Sequence, residues 1–418
     1  MKKTKTVCKV LLFLAIVCVL TGCWDRAELE SKAYVIGLGL DQSKHEGKIK
    51  VTMLIANPEV GSMQGGGGST EKPREIITFD ANDFITAKGT ANSIISRDIS
   101  YELLKVTVVS EQFAKDPLFL PTLYDALQDK EIRMDSYLAV SKEKADKYFL
   151  ENRPKMETRP HKYFQFMIEH GIDNGLVPDS TLFRFFKTTE GETDLPLVMY
   201  TTAKSQKNPP VRGEDEYIAG QLNASGELDD TQFIGSAVFK NGVMIDTLTG
   251  QETRTANILD DTTNIEDILV NFSDPFSDQP QQIAARILKT KNNTVKMDVK
   301  GAKPKIMLTV PLQFEILSNP SMVNYSKSTK NRQILKEHIA NHVNTMFQKF
   351  FEKSQTELKG VPYPLSLSAR KYFGTIEEYK KFNWSKSYLE ADIIVKTDVE
   401  IVDFGKQVKR PKKGGGLN

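Results

Sequence analysis

Cysteine is scarce in this chain of 418 residues, and its three copies, Cys8, Cys18 and Cys23, all fall within the first 23 positions. A chain cut before Cys23 therefore keeps a single thiol, at its own amino terminus. Such a chain can form no internal disulfide, no cysteine nucleophile and no cysteine-ligated zinc site.

Long apolar runs are lacking as well. The stretch from Val10 to Leu20 has 11 residues, about half of the ~20 that a transmembrane helix needs. It follows a start with four lysines and precedes the small residues Thr21 and Gly22, which is the three-part pattern of a secretion signal. We therefore predict a signal peptide at residues 1–22 and a soluble remainder.

The body of the chain has no excess of basic residues. The formal net charge of the sequence is +2, but residues 1–22 hold four lysines without an acid and residues 406–413 hold five basic residues, so Cys23 to Gly405 carries −7. A nucleic-acid binder needs a basic face, so we predict no nucleic-acid partner. The basic tail at 406–418 is either solvated or lies against anionic lipid.

Glycine motifs for phosphate or dinucleotide binding are incomplete. The run from Gly65 to Ser69 lacks the Gly-Lys-Ser/Thr ending of a phosphate loop, which favours a flexible loop. Gly37 and Gly39 lack the third glycine of a dinucleotide fingerprint and lie within a predicted strand. We interpret them as structural glycines at a close backbone approach.

Histidine and carboxylate motifs for catalysis or metal binding are also incomplete. His338 and His342 have the four-residue spacing of metal ligands on a helix, but no glutamate lies between them to act as a metalloprotease base. Packing or a neutral hydrogen bond is favoured for both. Asp403 to Gly405 is interpreted as a strand end and turn, and Asp260 to Asn264 lacks the glycine of a calcium loop. We predict no catalytic activity, no metal site and no cofactor.

Hydrophobic periodicity predicts alternating strands and helices. The strands that this pattern predicts are Tyr34–Asp41, Lys48–Ile55, Glu75–Phe79, Leu103–Val109, Tyr137–Val140, Gln232–Lys240, Val243–Leu248, Lys305–Leu317 and Ala391–Val402. The predicted helices are Asn82–Arg97, Pro117–Asp129, Lys142–Leu150, His161–Glu169, a helix through Phe183 to Phe186 that Asp179 or Ser180 caps, and Lys330–Lys353. Asn241-Gly242 predicts a tight hairpin turn.

Changes in composition divide the chain. A polar stretch at 202–216 with two prolines is typical of a linker or long loop. We predict an α+β fold of three mixed α/β domains in tandem, with mostly antiparallel sheets and packed helices. The predicted parts are a lipoprotein signal peptide at 1–22, an N-terminal α+β domain at 23–202, a middle domain with the hairpin at 203–300, a C-terminal α+β domain at 301–405 and a basic tail at 406–418.

The end of the leader, Leu20-Thr21-Gly22-Cys23, resembles the lipobox of bacterial lipoproteins. In a lipobox a diacylglyceryl group alkylates the cysteine thiol before cleavage, which requires small residues before the cysteine. We predict lipidation of Cys23, the one site residue that the sequence identifies; the alternative is an uncleaved signal anchor, against which the short apolar run argues. An anchor of two acyl chains is stable where one is marginal, at ~0.8 kcal/mol per buried methylene.

The mature chain resembles the Ger(x)C family, the lipoprotein C subunits of bacterial spore germinant receptors. The resemblance begins at Cys23-Trp24-Asp25-Arg26 with Glu28-Leu29. The sequence differs from the family pattern at Leu365–Ala369 and at Ile245-Asp246. The further segments of the resemblance are Ile36–Asp41, Gly235–Phe239, Leu248-Thr249-Gly250, Tyr372-Phe373 and Trp384 with the closing strand to Gly405.

This resemblance implies three mixed α/β domains, no known catalytic activity, and assembly with an integral-membrane A subunit and a transporter-like B subunit. The resulting hypothesis is a lipid-anchored, non-catalytic receptor subunit that is needed for nutrient-induced germination. Its diacylglyceryl anchor would hold it on the outer face of the spore inner membrane. The alternative is a membrane-anchored solute-binding lipoprotein that delivers a small nutrient to a membrane partner, which would need a cleft between domains with convergent polar groups.

Overall fold

The protein folds around two β-sheets that consecutive parts of the chain form. Seven of the twelve strand pairings among the described residues are antiparallel. The predicted α+β class, with mostly antiparallel sheets and packed helices, is confirmed. The computed structural model describes residues 31–56, 74–191, 193–213, 215–227, 229–277, 280–301, 303–325 and 328–405.

The first sheet has nine strands in the order β3-β2-β1-β5-β6-β7-β8-β9, with β4 beside the start of β1. Its strands are β1 (Lys32–Gln42), β2 (Ile49–Ala56), β3 (Arg74–Ala81), β4 (Asp98–Ser100), β5 (Val106–Ser110), β6 (Tyr137–Ser141), β7 (Leu197–Thr202), β8 (Gln232–Lys240) and β9 (Val243–Leu248).

The centre of this sheet is parallel, because β1, β5, β6 and β7 all run in one direction. Parallel strands need crossover connections, which place helices on the sheet faces and bury the strands on both sides. Every residue of β5 is buried. The α-helices among the described residues of this part are α1 (Ala87–Ala91), α2 (Glu111–Ala114), α3 (Phe119–Tyr124), α4 (Ala145–Glu151), α5 (Pro160–Asp173), α6 (Leu182–Gly191) and α7 (Gly250–Leu259), and a 3-10 helix at Asp125–Leu127 follows α3.

The second sheet has five strands, and one of its two 12-residue strands, Lys305–Ile316, lies at its centre. That strand alternates buried and less buried residues along its length, as expected for a sheet with one face on the core. The strands are β10 (Ile268–Ser273), β11 (Gln282–Leu288), β12 (Thr294–Asp298), β13 (Lys305–Ile316) and β14 (Asp392–Asp403), and the helices are α8 (Thr329–Thr356), α9 (Ser366–Arg370), α10 (Ile376–Phe382) and α11 (Trp384–Leu389).

Helix α8 covers the buried face of the second sheet, and the predicted apolar stripe is buried at Leu335, Ile339, Val343, Phe347 and Phe350. The hydrophobic core around α8 does not stop at this sheet. It includes Leu195, Val238 and Leu248 of the first sheet and its flanking chain. The two sheets therefore share apolar contacts.

The predicted boundary at 202/203 falls between two paired strands. Strand β7 ends at Thr202, and its residues pair antiparallel with β8, from Leu197 opposite Val238 to Thr202 opposite Gln232. The strongest predicted feature, the hairpin of β8 and β9, thus belongs to the first sheet. The division into three domains at 202/203 and 300/301 stays a prediction.

The hairpin itself is confirmed, since Lys240 pairs with Val243 and both turn residues have positive φ, 52° at Asn241 and 77° at Gly242. The predicted helix from Asn82 to Arg97 is wrong in extent. The Asn92 side chain accepts a hydrogen bond from the backbone N–H of Ile99 at 3.0 Å, which turns the chain toward β4. The observed helix, α1, ends at Ala91.

The predicted cap of α6 is also different in detail. The Ser180 hydroxyl donates to the carbonyl of Leu138 at 2.7 Å and is therefore committed to strand β6. The backbone N–H of Arg184 instead donates to Thr181 Oγ1 at 3.3 Å. A hydroxyl one residue later thus satisfies the first turn of the helix.

Candidate functional site

The predicted lipidation site, Cys23, lies outside the described residues, as do the glycine loop at 65–69 and the basic tail at 406–418. Lipidation of Cys23 therefore stays a prediction.

The two histidines of α8 make the kind of contact that the sequence favours. His338 Nε2 lies 3.0 Å from Ser273 Oγ, and the ring of His342 meets that of Phe272 edge-on with centroids 5.3 Å apart. Packing and a hydrogen bond are thus confirmed for this pair. The described part of the chain holds no group of three or more His, Cys, Asp or Glu side chains placed to bind a metal ion.

The paired glycines of β1 are structural, as predicted. A Cβ at Gly37 would lie 2.7 Å from the ring of Phe149, and one at Gly39 would lie 2.9 Å from the Cβ of Ala145. Helix α4 can approach the strand this closely because both side chains are missing. At the other end of the chain, β14 ends at Asp403, which confirms the predicted strand end, and Gly405 has a positive φ of 75°.

A contact between the two sheets forms just before β7. Asp194 and Val361 form an isolated parallel bridge, and the backbone N–H of Leu195 donates to the carbonyl of Val361 at 2.6 Å. Val361 lies between α8 and α9. The chain that leads into β7 is thereby tied to the loop that leads into α9.

Side chains continue this contact around Asp194. The Ser366 hydroxyl donates to one Asp194 oxygen, and the Ser366 backbone N–H donates to the other at 3.3 Å. Thr193 Oγ1 donates to Ser366 Oγ at 3.1 Å. The start of α9 is therefore held against the first sheet by a polar cluster, which we call the Asp194 cluster (Thr193, Asp194, Ser366).

Burial raises the pKa of the Asp194 carboxyl to about 7, against the opposing effects of the Ser366 hydrogen bonds, the Arg370 charge and the Trp384 indole. A carboxyl with this pKa is largely neutral in mildly acidic solution. Perturbed ionisation next to a cavity is a common feature of functional sites.

A cavity of about 500 Å³ opens beside the Asp194 cluster. This volume falls within the ~300–1,000 Å³ range of small-molecule sites. Its wall on the first sheet's side includes Gly191 and Thr193, and the opposite wall comes from α9 to α11. The side chains that give it chemical character are Arg370, Phe373, Tyr379, Lys380 and Trp384.

The side chains around this cavity are arranged for binding. Trp384 is only 2% exposed, and the guanidinium carbon of Arg370 lies 5.4 Å from the centroid of the Tyr379 ring. The Ser366 hydroxyl points at a carboxyl that is itself partly buried, and no histidine lines the cavity among the described residues. Ser366 is itself only 2% exposed and is not among the described residues that line the cavity.

A second groove, of about 480 Å³, lies between α7, β10 and α8. Arg254 on its wall is paired with Asp215 at 2.5 Å and also donates to the carbonyl of Asn174 at 3.2 Å. The floor is apolar, with Phe272 and Phe347 among its residues. The Arg254 guanidinium is thus engaged by Asp215 and by the Asn174 carbonyl within the protein.

Sequence reasoning did not find the Asp194 cluster or the cavity. Asp194 and Ser366 are 172 positions apart, and no spacing rule joins them. Two aromatic residues of the cavity were nevertheless visible in the sequence, because Phe373 and Trp384 belong to the segments that carry the resemblance to a known family. Trp384 is one of two tryptophans in the chain.

These features define an α+β protein with two sheets and a cavity at their junction. The crystal structure of the GerBC protein has a similar fold, with a TM-score of 0.53 over 88% of this chain and 97% of that chain, at 16% identity. None of the helices in the described residues has the length and apolar character that crossing a membrane takes.

Two family models match consecutive parts of the chain. The spore germination protein N-terminal domain matches residues 25–202, and the spore germination B3/GerAC-like C-terminal model matches residues 234–405. Spore germination protein B3 of Bacillus subtilis (strain 168) is 22% identical over 96% of this chain and 99% of its own length. The chain belongs to the Ger(x)C family of spore germination proteins.

Spore germination protein KC of the same organism is 28% identical over 139 residues, which is 33% of this chain and 34% of that relative. The aligned part thus spans about a third of that protein. The putative spore germination protein YfkR is 26% identical over 34% of this chain and 37% of its own length.

Proposed function

We propose that this protein is the lipid-anchored C subunit of a spore germinant receptor and that it supports nutrient-induced germination without catalysis. The observation that carries the proposal is the pair of germination-protein matches at 25–202 and 234–405. The first match begins two residues after Cys23, which is the predicted lipidation site. Family membership supports a role in germination, and the lipobox-like sequence at Cys23 supports attachment to a membrane.

The proposed partners are the bilayer, through a diacylglyceryl group on Cys23, and the integral-membrane A and B subunits of the receptor. The proposed location is the outer face of the spore inner membrane. Two acyl chains give stable binding to a bilayer, so the anchor would keep the body beside its membrane partners.

The test compares wild-type protein with Cys23→Ala and with a matched control, Cys18→Ala, which changes a cysteine of the signal peptide. Mass spectrometry of the membrane-extracted chain should find a diacylated amino-terminal cysteine in wild type and Cys18→Ala. In Cys23→Ala spores we expect the protein to leave the membrane fraction and nutrient-triggered germination to fail.

Germination of the Cys23→Ala spores by a trigger that bypasses nutrients should be normal, which separates a receptor defect from a general spore defect. A mature chain that begins at an unmodified Met1 would refute the anchor. Normal nutrient germination in spores without this protein would refute the receptor role.

A further inference from the structure

We propose that the cavity between the Asp194 cluster and α10 binds a small organic carboxylate that has an apolar body. The proposal does not depend on the anchor at Cys23 or on the receptor role. It rests on three observations: the preformed walls of the cavity, its aromatic lining and its charge.

The wall formed by α10 is fixed by local structure. The Thr375 hydroxyl oxygen accepts from the backbone N–H of Glu378, and the Glu378 carboxylate accepts from the backbone N–H of Thr375, which is a complete capping box at the start of α10. Asn383 then takes a left-handed conformation, with φ 51°, and its side chain caps α11. A wall that is held in this way costs little further ordering when a ligand binds.

Three aromatic side chains, Phe373, Tyr379 and Trp384, line the cavity. The ring centroids of Phe373 and Tyr379 lie 5.6 Å apart, nearly edge to face. Helix α10 has no fully buried residue, so its apolar surface is available to an occupant. Rings in this arrangement favour a ligand with an apolar or aromatic body.

The charge of the cavity is positive. Arg370 and Lys380 line it, and no Asp or Glu side chain is among its described lining residues. Neither cation forms an ion pair with a described residue, although the Arg370 charge also acts at longer range on the buried Asp194 carboxyl. Arg254 in the second groove, by contrast, is paired with Asp215.

An anionic group on the ligand would pair with the two cations of the cavity, Arg370 and Lys380. A guanidinium presents two parallel N–H donors that match the two oxygens of a carboxylate. The stack on Tyr379 orients Arg370 for this contact. A carboxylate with an apolar body therefore satisfies both the cations and the rings, whereas an inorganic anion would leave the rings uncovered.

Tryptophan fluorescence provides a direct test. The chain has two tryptophans, so Trp24→Phe leaves Trp384, which lines the cavity, as the single reporter. The full-length Trp24→Phe chain, in a maltoside detergent at constant ionic strength, is titrated with benzoate. We expect a saturable change in Trp384 emission at concentrations up to about 10 mM.

Benzyl alcohol has the aromatic ring without the carboxylate, and inorganic phosphate has the negative charge without the ring. Both should bind at least about tenfold more weakly than benzoate. Arg370→Met should weaken benzoate binding about tenfold, as expected for loss of a charge-assisted contact. Lys380→Met, at an exposed position of α10, should weaken it severalfold. Arg332→Met on the exposed face of α8 is the matched control and should leave the affinity unchanged.

Two results would overturn the proposal. The first is the absence of a saturable response to benzoate in the folded parent chain. The second is equal affinity of the parent and of the Lys380→Met and Arg370→Met variants, because binding would then not use the cavity's cations. Since both substituted side chains are exposed, circular dichroism of each variant should match that of the parent.

Discussion

Asp194 joins the two sheets through a carboxyl that prefers to be neutral. Burial is the largest influence on its pKa and raises it from 3.8 to about 7. An acid whose pKa is raised by folding favours the folded state while it is protonated in both states. This stabilisation is complete below pH 3.8 and is lost as the pH rises toward 7.

Asp194→Asn should therefore change how stability depends on pH. The amide keeps an acceptor for Ser366 but cannot ionise, so the variant should gain on wild type by up to about 1.4 kcal/mol per pH unit within the window. Between pH 4 and pH 8 the stability of the variant relative to wild type should therefore rise by up to about 4 kcal/mol. Urea unfolding at pH 4, 6 and 8 measures the difference.

Asp398→Asn, at an exposed position of β14, is the matched control and should follow the wild-type pH dependence. If wild type and Asp194→Asn lose stability in parallel between pH 4 and 8, the carboxyl does not ionise in the way described.

The glycines of β1 set how closely α4 can pack. A Cβ at Gly39 would lie 2.9 Å from the Cβ atoms of both Ala145 and Thr52, neither of which can rotate away. Gly39→Ala should cost about 1–3 kcal/mol of unfolding free energy, the usual cost of overpacking. Thermal and urea unfolding measure this cost.

Gly89→Ala in α1 is its control, because nothing lies within 4 Å of the added Cβ. This variant should be neutral or slightly more stable, since alanine is the better helix former by up to about 1 kcal/mol. Equal destabilisation by both substitutions would show that backbone flexibility, and not packing against α4, explains the glycine at position 39.

At the level of elements, two helices begin with the same capping box but differ in burial. In α7, Thr249 accepts from the Glu252 backbone N–H at 3.2 Å, and Glu252 also pairs with Lys353 of α8 at 2.8 Å. Almost all of α7 is buried, whereas α10, capped by Thr375, has no fully buried residue.

Thr249→Ala should lower the global unfolding free energy by about 1 kcal/mol, the typical cost of losing a helix cap. Thr375→Ala removes the same bond from an exposed helix, so it should loosen α10 locally and leave global stability nearly unchanged. Urea unfolding together with hydrogen exchange of the two helices measures both. Equal global losses would contradict the assignment of α10 as a peripheral element.

The elements that the sequence predicted well are those with a strong local pattern. The turn at Asn241-Gly242 needs positive φ at both positions. Helix α8 has an apolar stripe from Leu335 to Phe350, and its predicted bounds of Lys330–Lys353 lie within the observed Thr329–Thr356. The predicted helix at 82–97 failed because the Asn92 side chain bonds to a distant backbone group.

The Asp194 cluster and the cavity were harder to predict than the helices and strands, because both depend on contacts between distant parts of the chain. Asp194 and Ser366 meet only because β7 lies at the edge of the parallel centre and α9 follows the end of α8. Strand order cannot be read from a periodicity of two. The cavity depends on this long-range arrangement, whereas its aromatic residues are visible in the sequence.

At the scale of the whole molecule, the shared core connects the two sheets. Leu248 of β9 is fully buried in the same cluster as Val343 and Phe347 of α8. The Asp194 bridge adds a polar contact, and Lys353 with Glu252 adds an ion pair between α7 and α8. Apolar surface that is buried between two units couples their unfolding in proportion to its area.

We therefore expect the two sheets to unfold together, although three domains are predicted from the sequence. Hydrogen exchange in increasing urea should give the same opening free energy for the amides of β5 in the first sheet and β13 in the second. Leu248→Ala should lower both values equally, by about 2–5 kcal/mol, the range for a buried leucine.

Leu103→Ala is the control for this experiment, because Leu103 is 48% exposed and its truncation should shift neither value by more than about 0.5 kcal/mol. If Leu248→Ala weakened β5 and left β13 unchanged, the second sheet would be an independent folding unit, and the predicted domain boundaries would gain support. Equal loss in both sheets would mean that a ligand in the cavity stabilises the whole molecule, since the cavity walls come from both parts of one cooperative structure.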